Sequence, residues 1–239
     1  MSSKKIKPFI STPLHSSSTR LLLVAATEME IAPLLHELHF LSTSGSSLRS
    51  YSLGKLNLDV LITGVGMTST AFQMGRAVGA SSYSCSLNVG LAGSFNRNLD
   101  LGSVVHITDD CFSELGAEDG DLFIPIGKMG LNTAQEVSAA LRFPPNSVLD
   151  LIPRVNGITV NTVHGNEVSV SKAFERYHPI TESMEGAAFL LACAEAGVPG
   201  AQIRAISNYV ERRNREAWNI PLAIQNLNKT ALEIIRAFA

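Results

Sequence analysis

Cysteine is scarce in this chain of 239 residues: Cys85, Cys111 and Cys193 are all there is, far apart and without a C-x-x-C spacing. That argues against a disulfide framework and a thiolate zinc site and fits a reducing cytoplasm. Charge of one sign is also lacking. Nineteen basic against twenty-one acidic residues leave a formal charge of -2, which offers no electrostatic footprint for nucleic acid or an anionic membrane surface. No stretch approaches the roughly 18 to 20 apolar residues that a spanning helix needs. The opening segment has three lysines and later the apolar run "LLLVAA", but the run is too short for a secretory signal and a serine-rich stretch divides it from them. Residues 1–19 are therefore expected to form a flexible tail, and 20–239 one folded domain with a small-molecule partner.

Complete nucleotide and metal motifs are missing as well. "TGVGMTST" places Gly64 and Gly66 between a strand and a helix, yet Ser69 stands where G-x-G-x-x-G needs its last glycine, and no lysine completes a P-loop. It reads equally as a tight strand-to-helix turn. "HELH" sets His36 and His39 three apart on an expected helix, but it is not H-E-x-x-H and no third ligand is apparent, so no metal is expected.

What the chain does have is alternation. "LLLVAAT" precedes a helical stretch from Glu28 to Phe40; "LDVLITGV" precedes one from Met67 to about Ala80; "SLNVGLAG" and "GSVVHIT" follow. After a middle section of weaker signal come "GITVNTV", helices near Glu167–Tyr177 and Ser183–Ala196, the strand "AQIRAIS" and a closing helix over Ala217–Phe238. This order predicts an α/β fold, with a mostly parallel sheet between helical layers. Ligands in such sheets bind beyond the carboxyl ends of strands, where "ATEME", "GLAGS" and "SNYVERR" fall, with "SMEG" opening a helix near the last of them.

Each candidate has a plain reading beside the functional one. Glu28 and Glu30 lie two apart, so on a helix they face different ways; one can face the pocket, or both can complement the helix dipole. Glu185, in a first turn, either does the same or accepts hydrogen bonds from a ligand's hydroxyls. Gly90 and Gly93 let backbone approach a flat ligand or let two elements pack. Asn208 closes an apolar strand, as a turn residue or as a recognition group.

Taken together, "ATEME", "TGVGMTSTAF", "NVGLAGS", "ESMEGAAFLLACAEAGVP" and "IRAISNYVERRNREAWNI" resemble the nucleoside phosphorylase and nucleosidase superfamily, and within it the futalosine hydrolases of the alternative route to menaquinone. The resemblance spans Leu21 to Ala239. It implies a single-domain three-layer α/β/α sandwich with a mixed, mostly parallel central sheet, a small-molecule nucleoside substrate, no cofactor, a cytoplasmic location and a homo-oligomer, dimer or higher. It implies hydrolysis of futalosine to hypoxanthine and dehypoxanthine futalosine; the alternatives are a methylthioadenosine/S-adenosylhomocysteine nucleosidase and a purine nucleoside phosphorylase.

By the same resemblance Glu30 positions or deprotonates water, and Glu185, preceded by Met184, binds the ribose hydroxyls. Asn208 stands where adenine-cleaving relatives carry an aspartate after "RAIS", and Ser183 where many carry a further glutamate. An amide suits hypoxanthine, whose N7 and O6 are both acceptors. Ala92, Gly93 and Ser207 are implied near the substrate, with Phe123, Val163 and His164 near the base or the 5′ end. Arg212, Arg213 and Arg215 are candidates for a carboxylate on the 5′ substituent, or a solvated basic cluster.

Overall fold

The computed structural model describes residues 20–131, 136–138 and 141–239; the expected tail at 1–19 lies outside them. The chain runs β1 (Arg20–Ala25), α1 (Glu28–Leu35), β2 (His39–Ser44), β3 (Leu48–Leu53), β4 (Leu56–Ile62), α2 (Met67–Ala80), β5 (Cys85–Ser94) and β6 (Val104–Cys111). It continues with β7 (Gly116–Asp119), β8 (Leu122–Pro125), β9 (Glu136–Ser138), α3 (Ser147–Leu151), β10 (Arg154–Thr159) and α4 (Glu167–Tyr177). Last come β11 (Thr181–Ser183), α5 (Gly186–Ala196), β12 (Gly200–Tyr209) and α6 (Ile220–Arg236).

One strand explains the layering. In β1 successive side chains point to opposite faces. Leu21, Leu23 and Ala25 join a core with Ile31 and Leu34 of α1 and with Ala223, Leu227, Ala231 and Ile234 of α6. Leu22 and Val24 join a second core with Met74 of α2 and Phe189, Leu190 and Cys193 of α5. The five apolar residues after Arg20 are thus buried on both faces, as the centre of a three-layer sandwich requires. Shortening one of these leucines to alanine would cost about 2 to 5 kcal/mol.

The sheet order is β2-β3-β4-β1-β5-β12-β6-β10-β11. Strands β4, β1, β5 and β12 are mutually parallel, and antiparallel pairings β2–β3, β3–β4 and β12–β6 flank them. The expected α/β/α sandwich with a mixed sheet is what the chain forms. The sheet also curls: β11 comes round to pair with the end of β5, antiparallel, through Thr181↔Ser94 and Glu182↔Gly93. That closure brings the far end of the sheet back over the carboxyl end of its centre.

Three helix boundaries differ from expectation. The first helix stops at Leu35, two residues after Pro33, and His39 begins the edge strand β2, so His36 and His39 do not share a helix. Proline inside a helix removes a backbone donor and weakens its continuation. Helix α5 starts at Gly186, because Ser183 belongs to β11. The closing helix is Ile220–Arg236, entered after Asn219 accepts at its side chain from Leu222 N, with Pro221 in the first turn.

Candidate active site

Glu30 lies in the first turn of α1 and is buried. Its Oε2 accepts from the backbone N–H of Thr27 at 2.9 Å and from the Thr27 hydroxyl at 2.8 Å. Oε1 accepts from Leu91 N on β5 at 3.2 Å. A carboxylate has about four acceptor positions, so three donors leave one, on Oε1. Glu30 thus braces the helix start through Oε2 and turns Oε1 toward β5. Glu28 points elsewhere, to an exposed ion pair with Arg49 at 2.7 Å.

Glu185 caps α5 on the opposite face of the sheet and is also buried. The loop between β4 and α2 supplies a donor, Gly66 N to Glu185 Oε1 at 3.1 Å. Gly64 and Gly66 hold positive φ there, 80° and 98°, so the glycine-rich segment is a tight turn whose backbone serves a carboxylate. Burial pushes the Glu185 carboxyl up, with the nearby Glu30 adding to it; Arg204 and the Gly66 N–H pull it back.

Arg204 is the buried cation paired with Glu185. Its side chain is 1% exposed and its Nη1 is 3.6 Å from Glu185 Oε2. Nη2 donates to Asn88 Oδ1 at 2.6 Å and Nε to Gln202 Oε1 at 3.3 Å. Gln202 Nε2 then donates to Asp110 Oδ2 at 2.8 Å, and Asp110 Oδ1 accepts from Thr159 Oγ1 at 2.9 Å. Every member of this buried chain has a partner, as groups removed from water require. Gly90 must lack a side chain: a Cβ there would sit 2.1 Å from Arg204 Nη1 and 3.3 Å from Glu30 Oε1.

Asn208 stands on the other side of the carboxyl end of β5. β12 pairs with β5 through Ile206↔Ala92 and then Asn208↔Gly93, so Ser207 is an extra residue in a bulge. Bulges re-aim side chains beside sites. The Ser207 hydroxyl lies 2.8 Å from Asn208 Oδ1 and 3.3 Å from the Ala92 carbonyl. Asn208 Nδ2 donates to Tyr209 O at 3.0 Å, which uses one of its two hydrogens.

A cavity beside it is lined by Gly93, Val163, His164, Glu182, Asn208, Tyr209, Glu211, Arg213, Asn214 and Trp218. The fold therefore gathers Gly93, Val163, His164, Asn208 and Arg213 around one space. Ala92 is buried under it, and Met184 is half-buried between β11 and Glu185. Arg213 stacks its guanidinium over Trp218, 5.3 Å from the ring centroid, and Arg215 sits 5.9 Å from the same ring. Arg212 lines an adjoining cavity with Glu167, Ser171 and Arg213. Phe123, on the β7–β8 hairpin, is not among these lining residues; the Arg176 guanidinium covers its ring at 4.0 Å.

Two side chains escaped the sequence reading. Arg204 carried a signal, since a charged residue inside an apolar strand needs a buried partner. Glu182 did not, because its partner lies eighteen residues earlier: His164 N donates to Glu182 Oε1 at 2.9 Å, and His164 Nδ1 is in close contact with Oε2. The Glu182 carboxylate raises the His164 imidazole above its usual value, against the effect of burial.

A model of the phosphorylase superfamily matches residues 20–239. Among curated relatives, futalosine hydrolase of Acidothermus cellulolyticus is 33% identical over 180 residues, 71% of each chain. Futalosine hydrolase of Streptomyces coelicolor is 31% identical over 182 residues, 71% of this chain and 74% of that one. The solved structure of futalosine hydrolase from Helicobacter pylori superimposes with a TM-score of 0.77 at 14% identity, over 92% of this chain and 98% of that one, a likeness of fold. The chain thus belongs to the phosphorylase superfamily and shares a family within it with the futalosine hydrolases.

Proposed function

We propose that the protein hydrolyses the N-glycosidic bond of futalosine, releasing hypoxanthine and dehypoxanthine futalosine in the futalosine route to menaquinone. The observation that carries this reading is the spare N–H of Asn208 beside Gly93, at the carboxyl end of β5, the strand whose Leu91 N–H binds Glu30.

Cleavage develops positive charge on the ribose and negative charge on the departing base, as in other glycoside hydrolyses. Ionised Glu30, braced by three donors, holds water on its remaining acceptor position and takes the proton as C1′–O forms. Glu185 accepts from the ribose hydroxyls and supports the cationic ring, with Arg204 beside it countering the effect of burial on its carboxyl. Asn208 donates to the acceptor edge of a 6-oxo purine, where an ionised carboxylate would be repelled. An unpaired buried acceptor costs about 1 to 3 kcal/mol, enough to separate 6-oxo from 6-amino bases. Arg213, fixed over Trp218 at the cavity, is the best placed of the three arginines for a carboxylate on the 5′ substituent.

A second copy of the chain completes the site in this reading. Met29 and Val65 adjoin Glu30 and Gly66 in sequence, and with Phe72 they are 65%, 55% and 63% exposed. Apolar side chains of that size beside a polar site are characteristic of a covered surface.

Product chromatography tests the activity. Futalosine, inosine, the 6-amino analogue of futalosine and methylthioadenosine are each incubated with and without phosphate. Hypoxanthine from futalosine, independent of phosphate, is expected; adenine from methylthioadenosine alone, or a phosphate requirement, would replace the reading with one of its alternatives.

A further inference from the structure

Asn208, the residue assigned to the base, cannot supply the proton that the leaving purine needs. When C1′–N9 breaks, its electron pair goes to the purine, and a purine anion is a poor leaving group. Asn208 can donate a hydrogen bond to that anion, but an amide has no proton to give up near neutral pH.

The titratable and charged groups around the Asn208 cavity can be taken in turn. Tyr209 spends its hydroxyl on Leu99 O at 3.1 Å. Glu211 is in close contact with Arg97. Arg213 holds its proton far too tightly to transfer it. Glu182 is 4% exposed, and both its oxygens are occupied by His164. His164 remains, with Nδ1 on Glu182 and with Nε2 free of any hydrogen bond among the described residues.

The sheet places this pair beside Asn208. Gly93 is flanked by Asn208 of β12 on one side and by Glu182 of β11 on the other. Adjacent strands lie about 4.8 Å apart, so Asn208 and Glu182 stand about two strand spacings apart, within reach of one bicyclic base held at the cavity they both line. A Cβ on Gly93 would come within 2.8 Å of Val210 Cγ2 and 3.1 Å of Asn208 Nδ2, so the glycine lets the Asn208 amide pack closely against β5 at the edge of the cavity.

We propose that His164, oriented by Glu182, is the general acid that protonates the departing purine; the assignment rests on the nucleosidase reading above. The Nδ1–H donated to Glu182 fixes the ring and leaves Nε2–H for the base, the logic by which carboxylates orient catalytic imidazoles. The step balances. The C1′–N9 pair moves to the base, Nε2–H is transferred to N7, water adds to C1′, and the proton of that water passes to Glu30; solvent returns it to His164. The field at His164 favours the charged ring through Glu182 and Glu114 and opposes it through burial and Arg176, while Glu211 and Arg213 face the same cavity. Glu182 is a positioning residue here, acting through His164.

The test is steady-state hypoxanthine release from futalosine by the full chain as wild type, His164→Gln and Glu182→Gln. His164→Gln is expected to lower kcat about 100-fold or more, with KM nearly unchanged. The fall of wild-type kcat/KM with rising pH should vanish in it. Its deficit should also shrink along a series of substrates with progressively less basic leaving purines. Glu182→Gln should move the alkaline fall to lower pH, since it removes the carboxylate that favours imidazolium, a displacement that loss of packing alone would not produce. If His164→Gln is too unstable to assay, the displacement by Glu182→Gln decides the matter. A deficit equal for every leaving base, or an alkaline fall unmoved by Glu182→Gln, overturns the assignment. Wild type that releases no base from futalosine removes the underlying reading instead, whereas turnover unaffected in His164→Gln removes only the role of His164.

Discussion

Arg204 Nη1 lies 3.6 Å from Glu185 Oε2, both side chains almost wholly buried, directly over a glycine that also faces Glu30. Glu30 disfavours the charged form of Glu185, and the Arg204 guanidinium opposes that effect. Arg204→Met would leave Glu185 buried without its counter-charge. We expect a loss of about 3 to 5 kcal/mol in urea denaturation, together with loss of turnover. Gly90→Ala should cause a milder form of the same defect, because the new methyl displaces the guanidinium. A variant Arg204→Met as stable as wild type would show that the pair is not coupled.

Glu30→Gln keeps an oxygen to accept from Thr27 and loses the base. The expected result is kcat lowered at least 100-fold, with nucleoside affinity by calorimetry within a few-fold of wild type. Near-normal turnover would remove Glu30 from the mechanism.

His106, buried on β6, has neither ring nitrogen hydrogen-bonded among the described residues, and burial pushes its pKa down to about 4. The unfolded chain takes up the proton near pH 6.5 and the folded one only near 4, so stability falls as pH drops through that window. Between pH 7 and 4.5 wild type should lose about 2 kcal/mol more than His106→Leu in denaturant titrations. Parallel pH dependences would contradict this.

Met29, Val65 and Phe72 are expected at a subunit interface. Light scattering should give a dimer or larger assembly for wild type and a smaller species for Met29→Glu combined with Phe72→Glu. A wild-type monomer with full activity would dispose of the shared site.

Much of this was readable in the residues, and for definable reasons. "LLLVA" is apolar at every position, as a strand buried on both faces requires, and the alternation of such runs with helical stretches predicts the layered α/β fold. The helix at Met67–Ala80 was framed by glycines before it and by "SSYS" after it. Strand β2 was not legible: all six of its residues are exposed, so it carries no alternation to oppose the helical propensity of "LLHELHF". Glu30, Glu185 and Asn208 sit at ends of local elements, where sequence position alone suggests a site. The link through Arg204 and the Glu182–His164 contact depend on pairing between distant strands, above all β11 with β5, and no local pattern encodes that closure.

The central claim is that a neutral amide at position 208 selects the oxygen-bearing purine, and the ratio of kcat/KM for futalosine to that for its 6-amino analogue measures it most directly. Wild type should favour futalosine by about tenfold or more, and Asn208→Asp should erase or reverse that preference. The same ratio in both proteins would contradict the account.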